Sequence, residues 1–302
     1  MSISMYSQCI NRGIPVFFTE SFCTNIIART ELSKNLMRLR QAIDKSSKVA
    51  VIHRENLRFY EHFSKEFTKL ITTNLDKCVV YAEGRDSSFP FAYQQHNDFC
   101  IELQQRNRDI KKINHDHKTK DLLVLVGRND VNRINLVRHL ESLGLLENSF
   151  VSVNSPGDPF NCVYKLEEDH EDIQDDFYKW CQTPYLPHYS KSKLSVVMET
   201  IMVEESYQLS EAIYNPIITE HPFVVLGPVG YLDFLRSYGY ETFGEWIDES
   251  YDKEQDIAKR ISMIADVCEN FIKSDSKKFY IESADLRKRN RERFLNTQPI
   301  SL

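Results

Sequence analysis

The chain lacks any apolar run of about 18 residues, the length that spans a bilayer, so no segment reads as a membrane helix. It is also poor in glycine, 9 in 302 residues, and shows no low-complexity tract or internal repeat, which excludes collagen-like and linker-like chains. It has no CxxC pair, and its seven cysteines are scattered and odd in number, so neither a zinc ribbon nor a disulfide framework is expected. There is no charged-then-apolar leader at the start, and the expectation is a cytoplasmic chain, in a host cell if the source is viral. Positive charge is in deficit. The net charge of −6 gives no long-range attraction for polyanions, so a nucleic-acid partner would need a local basic patch. Arg287, Lys288, Arg289, Arg291 and Arg293 are the one such cluster, with a solvated helix face as the simpler reading.

What is present is an ordinary globular composition, 41% hydrophobic, with aromatics at 12% to fill a core. At about 100–200 residues per domain the length suggests two domains. In the first half, apolar runs at 14–18, 48–52 and 78–81 read as strands, with helical periodicity at 31–45, 55–72 and 96–112. A polar stretch from Arg106 to Lys120, with His115-Asp116-His117, breaks the pattern and reads as a surface linker, since no third metal partner stands at a usual spacing. The boundary is placed there, giving domains 1–118 and 119–302.

The second half opens on Leu122-Leu123-Val124-Leu125-Val126, an uninterrupted apolar run that suits a parallel strand buried on both faces. Further strands are expected at 150–153, 195–200 and 221–227, and a short strand or bend at Thr242-Phe243. Helices follow Asp130, Ser210 and Gly230, and another spans 253–273. The acidic stretch 165–180 reads as a solvated helix or loop. The alternation of strand and helix predicts an α/β layer fold in both halves.

In open α/β sheets ligands sit beyond the carboxyl ends of the strands, where helix starts and basic side chains meet phosphates. The groups placed there by spacing are Arg128 and Arg133 after the first strand of the second half, Glu199 at the end of another, Ser210 and Glu211 at a helix start, and Gly227 at the last strand end. Each has a plain structural reading as well: an exposed strand end, a capping residue, a turn glycine.

The segments Val196-Val197-Met198-Glu199-Thr200, Leu209-Ser210-Glu211-Ala212-Ile213-Tyr214-Asn215-Pro216-Ile217 and His221-Pro222-Phe223-Val224-Val225-Leu226-Gly227 resemble a glycosyltransferase family common in bacteriophages and other viruses. The likeness continues through Gly239-Tyr240-Glu241-Thr242-Phe243 and Ile247 to Asp252, and is more distant to the fucosyltransferase-like donor domain. It covers roughly residues 120–270. It implies a GT-B-like architecture of two Rossmann-like domains facing a cleft, with a nucleotide-sugar held by the second. Glu211 would hold the ribose, and Arg128 and Arg133 the diphosphate. No metal and no other cofactor is implied, and the chain contains no Asp-x-Asp.

The family's lysine after the glutamate is Ala212 here, so a phosphate contact is lost or comes from Lys191 or Lys193. A general base for the acceptor would be Glu20, at the end of the first strand, or, second, Asp86, in the loop after the third strand. The acceptor is open, with DNA or a glycan as options. The alternative to an enzyme is a nucleotide-sugar-binding or virion-associated protein that keeps the fold without turnover.

Overall fold

A computed structural model describes residues 5–18, 28–53, 63–82, 84–86, 92–95, 97–127, 130–153, 184–199 and 206–298. The chain divides into two compact units, one of Met1–Glu102 with Glu205–Gln208 and Thr297–Leu302, the other of Leu103–Glu204 with Leu209–Asn296.

The first unit is built on a parallel sheet in the order β1-β2-β3-β5, where β1 is Val16–Phe18, β2 Val49–His53, β3 Cys78–Ala82 and β5 Gln94–Gln95. All five residues of β2 are buried, and the reason lies on its two sides. Val49 and Val51 pack with Leu39 and Ile43 of α2 (Arg29–Lys45) and Phe67 and Ile71 of α3 (Lys65–Thr72). Ala50 and Ile52 pack with Met5 and Cys9 of α1 (Met5–Asn11). Successive side chains of a strand point to opposite faces, so a strand covered on both sides must be apolar throughout. α3 starts after Ser64, whose hydroxyl accepts from the Phe67 amide at 3.0 Å; the expected helix 55–72 is thus interrupted, since Phe63 and Ser64 are not helical, and residues 55–62 lie outside the described residues. A separate two-stranded antiparallel ribbon joins β4 (Arg85–Asp86) to β9 (Ser206–Tyr207). The chain closes on Gly84 there: a Cβ on it would stand 2.3 Å from the Tyr207 carbonyl oxygen.

The second unit carries a parallel sheet in the order β10-β8-β6-β7, with β6 Lys120–Val126, β7 Phe150–Val153, β8 Ser192–Met198 and β10 Phe223–Leu226. The connection from β6 to β7 runs by α5 (Val131–Ser142), and that from β8 to β10 by α7 (Glu211–Ile218); α6 (Leu186–Lys191) leads into β8 and α4 (Asp98–Arg106) precedes β6. After β10 come α8 (Tyr231–Ser237), a 3-10 turn at Ser250–Lys253, α9 (Ile257–Lys273), α10 (Ser276–Glu282) and α11 (Ala284–Leu295). α5 buries Ile134, Leu136, Val137 and Leu140, and packs beside α9, which also covers β8 and β10.

Both sheets are thus parallel within an α/β fold, compatible with two Rossmann-like halves. The apolar runs fall on strands as expected. Thr242-Phe243 differs, forming no strand. Phe243 is instead a plug, 1% exposed, its amide bound to the Glu249 carboxylate at 2.7 Å. The acidic stretch 165–180 lies outside the described residues. Among those described, no helix is long and apolar enough to cross a membrane, and no group of His, Cys, Asp and Glu is arranged to hold a metal.

Gly144 ends α5 in the left-handed region, φ +73°, with only the Glu147 carboxylate within 4 Å of a notional Cβ. Backbone strain is therefore the main cost of a side chain there. Gly144→Ala is expected to destabilise the protein by about 1–2 kcal/mol, read as a lower denaturant midpoint with an unchanged slope; an unchanged midpoint would contradict the left-handed stop.

Candidate functional site

In the second unit the strand order reverses beside β6: β7 lies on one side of it, β8 and β10 on the other. In an open parallel sheet such a reversal opens a crevice at the carboxyl ends of the two strands that flank it. Here those ends are Val126 of β6 and Met198 of β8. Three helices begin on this edge, each following a strand. α5 opens after Asp130, whose carboxylate accepts from the Asn132 amide at 2.9 Å. α7 opens after Ser210, whose hydroxyl accepts from the Ala212 amide at 3.1 Å. α8 opens after Gly230, at φ +78°. The positive ends of these helices are the electrostatic frame of the site.

Glu199 stands at its centre. It follows β8 directly, its amide bonds to the Leu226 carbonyl at 2.9 Å, and it is 2% exposed. Its carboxylate accepts from the Tyr231 hydroxyl at 2.6 Å, and the Ser210 hydroxyl is its second partner. Its carbonyl accepts from Nε of Arg133 at 3.2 Å, itself 4% exposed in the first turn of α5. One residue therefore binds the starts of all three helices.

Burial pushes the Glu199 carboxyl up to about 7; the bonds from Tyr231 and Ser210 and the charge of Arg133 pull it back, while the charge of Glu211 adds to the rise. Burial also drives the Tyr231 phenol well above its ordinary value, helped by Glu199. The network is built to share one proton near neutrality rather than to hold a bare charge.

The spacing argument thus places Arg133, Glu199, Ser210 and Glu211 within one electrostatic neighbourhood. Gly227 joins them from β10. A Cβ there would meet the Tyr231 ring at 3.0–3.2 Å, so the glycine is what lets that ring lie against the strand end on its way to Glu199. Arg128 and Glu20 lie outside the described residues. Asp86 lies in β4 of the other unit, opposite Ser206 of β9.

Lys191 and Lys193, considered as substitutes for a phosphate lysine, are at the wrong end. Lys191 closes α6, and Lys193 is the second residue of β8, bonded to Asp121 at 2.6 Å. Six residues of strand separate Lys193 from Glu199, about 20 Å at the usual rise.

Tyr231, Asp252 and Arg260 fall within the stretch that carries the resemblance, but the sequence reading gives them no part in the site. Asp252, 5% exposed, accepts from the Leu232 amide at 3.1 and 3.2 Å and takes the Gly230 amide on its carbonyl at 2.8 Å, fixing the start of α8. Burial raises its carboxyl to about 6. Arg260, from α9, donates to the Gly227 carbonyl at 2.6 Å and to that of Glu254 at 2.8 Å. A signal for Tyr231 did exist: an aromatic directly after a glycine in a strand-turn-helix step. Spacing alone does not mark Asp252 or Arg260 for the site, because Leu232 and Gly227, which they hold there, are 20 and 33 residues away.

The C-terminal basic cluster is a solvated face only in part: Lys288, Arg289 and Arg293 are exposed, whereas Arg287 and Arg291 turn inward. Arg287 is 5% exposed and donates to the carbonyls of Glu220 at 2.7 Å and Tyr280 at 2.6 Å. Arg289 makes a two-pronged pair with Glu241 at 2.6 and 2.8 Å. Arg291 bonds Glu220 and the Ile110 carbonyl, and Arg293 the Tyr238 carbonyl. Lys288 lies 3.7 Å from Glu292. No protein-family model matches the chain, and no curated protein sequence matches it.

Glu199 has a pH signature. A carboxyl whose folded value lies above its unfolded one favours the folded state most below the unfolded value, and that advantage fades as pH rises to the folded value. The wild type should therefore lose stability relative to Glu199→Gln between about pH 4.5 and 7. Denaturant titrations of both proteins across that range test this; parallel curves would mean that Glu199 is ionised throughout. Gly227→Ala should destabilise by about 1–3 kcal/mol, the cost of overpacking, and displace the Tyr231 ring, read as a change in its tyrosine signals.

Proposed function

We infer that the second unit binds a nucleotide-sugar and that the chain is a GT-B-type glycosyltransferase. The observation that carries this is the convergence of Arg133, Ser210 and Glu211 on the crevice between β6 and β8, tied together by Glu199. The resemblance of residues 195–252 to a viral glycosyltransferase family supports the same reading.

In this reading the α5 start, Arg133 and Arg128 face the diphosphate, and Glu211 takes the ribose diol. Glu199 has its carboxylate engaged by Tyr231 and Ser210, so its part is to hold Arg133 and the α7 start in place. In the transfer, an acceptor hydroxyl oxygen bonds to the anomeric carbon as the bond from that carbon to the diphosphate oxygen breaks. The hydroxyl proton passes to a carboxylate, Asp86 or Glu20 being the candidates. The diphosphate gathers charge as it leaves, and a fixed guanidinium stabilises that charge without reorganising. No metal is needed for this part.

The motive for DNA as acceptor weakens, because Arg287, Arg289, Arg291 and Arg293 are each spent on bonds within the protein. A glycan fits the acidic chain better. Ala212, where the family carries lysine, favours the second reading of a binding protein without turnover.

A panel of UDP-, GDP- and CMP-sugars in a thermal-shift assay should raise the melting temperature with one nucleotide. Arg133→Ala and Glu211→Ala should each weaken that ligand by about 1–3 kcal/mol, the scale of a charge-assisted bond. Wild-type affinity in both variants would remove the site. Binding without sugar transfer or hydrolysis would select the non-catalytic reading.

A further inference from the structure

Residues 107–119, between α4 and β6, form a strap across the amino edge of the second unit's sheet, the edge opposite the site above. Ile113 anchors it, 8% exposed, against Leu123 and Tyr189. The Ile110 carbonyl accepts from Arg291 at 2.7 Å, and the Thr119 amide bonds to the Lys191 carbonyl at 2.8 Å. Between these fixed points lies a cluster of titratable groups from every neighbouring element.

The protonation states in that cluster follow from its bonds. Nε2 of His115 lies 3.1 Å from the Thr219 carbonyl, which can only accept, so Nε2 carries the hydrogen. Nδ1 is then an acceptor, and Lys118 Nζ donates to it at 2.9 Å and to the Tyr189 carbonyl at 2.9 Å. The Lys118 nitrogen and the Arg287 guanidinium each lie 4.6 Å from the centre of the Tyr280 ring. His115 stacks on that ring at 5.2 Å and on His221 at 6.1 Å.

His221 packs beside His115, and its Nδ1 lies 3.0 Å from the Pro222 carbonyl. Its Nε2 faces the Ser192 carbonyl at 2.9 Å and its Nδ1 the Ser195 hydroxyl at 2.9 Å. A second proton on His115 Nδ1 would set one donor against another across 2.9 Å, with Lys118 and Arg287 adding repulsion. The nearby acid is Glu220, held by Arg291 at 3.3 Å and Lys112 at 3.8 Å.

We propose that this strap is an acid-sensitive latch, fastened by neutral His115 through Lys118 and released when His115 takes up a proton. Burial, with Lys118, Arg287 and Lys112, holds the His115 imidazole down to about 3, against an ordinary 6.5. The fastened state therefore binds fewer protons than the released state between those values. Fastening is at full strength above about 6.5 and weakens as pH falls towards 3. Burial and Arg287 also hold Lys118 down to about 7, so its own contribution changes only above that pH and leaves the acid window to His115.

Hydrogen exchange of the full-length protein, corrected for intrinsic rates, at pH 6.5 and 4.5 tests this. Linkage of one proton allows up to about tenfold per pH unit. Protection in 107–119 should thus fall by up to about a hundredfold, while α9 changes little. His115→Gln, which keeps an acceptor for Lys118 and a donor for Thr219 but does not titrate, should lose most of that dependence. Equal wild-type protection at both pH values would overturn the proposal. So would an undiminished fall in His115→Gln. If the variant does not fold, the His115 ring signal in wild type decides: a midpoint near 6.5 with the strap still protected would refute the latch.

Discussion

The buried carboxyl of Glu199 is the constraint on which the second unit's carboxyl edge depends. A carboxylate with 2% exposure has lost its water and must be bonded or protonated. Tyr231 and Ser210 supply the bonds, and each is the start of a helix that follows a strand. The main-chain carbonyl of the same residue holds Arg133 from a third helix. Removing any partner would leave a buried polar group unsatisfied, which costs more than the bond itself contributes. The helix starts are therefore held jointly, and the proposed ligand groups of α5 and α7 inherit their geometry from a buried residue whose carboxylate is already engaged.

The two edges of this sheet use buried polar groups differently. At the carboxyl edge the groups are carboxyls raised by burial, Glu199 and Asp252, paired with hydroxyls and amides. At the amino edge they are bases lowered by burial, His115, His221 and Lys118. On both edges burial disfavours the charged form. The consequence is opposite pH behaviour: acid relieves the cost of burying Glu199 and loosens the bonds of His115. A global stability curve would blend the two, so local measurements are needed to tell them apart.

The layer fold was legible where physics is local. Leu122 to Val126 reads as a parallel strand because both faces are covered, Val49 to Ile52 reads as a strand, and Asp130 and Ser210 read as caps because their side chains bond amides two residues on. Gly227 was legible as a strand end, though not as the space a tyrosine ring needs. Long-range partners were not legible. Arg287 finds carbonyls in Glu220 and Tyr280, and Arg291 finds Ile110, 181 residues away, so two members of a run that reads as surface charge turn inward while Lys288, Arg289 and Arg293 stay exposed. His115 likewise reads as linker until Thr219 and Tyr280 come beside it. A polar run in one dimension carries no sign of which elements fold over it.

The central claim is that the α5 and α7 starts, joined through Glu199, grip a nucleoside diphosphate. The most direct measurement is a titration of isotope-labelled protein with UDP and GDP, followed by amide NMR. The account predicts saturable shifts centred on residues 130–134 and 209–213 for one of the two. Absence of saturable shifts with either, or shifts centred on another part of the molecule, would contradict it.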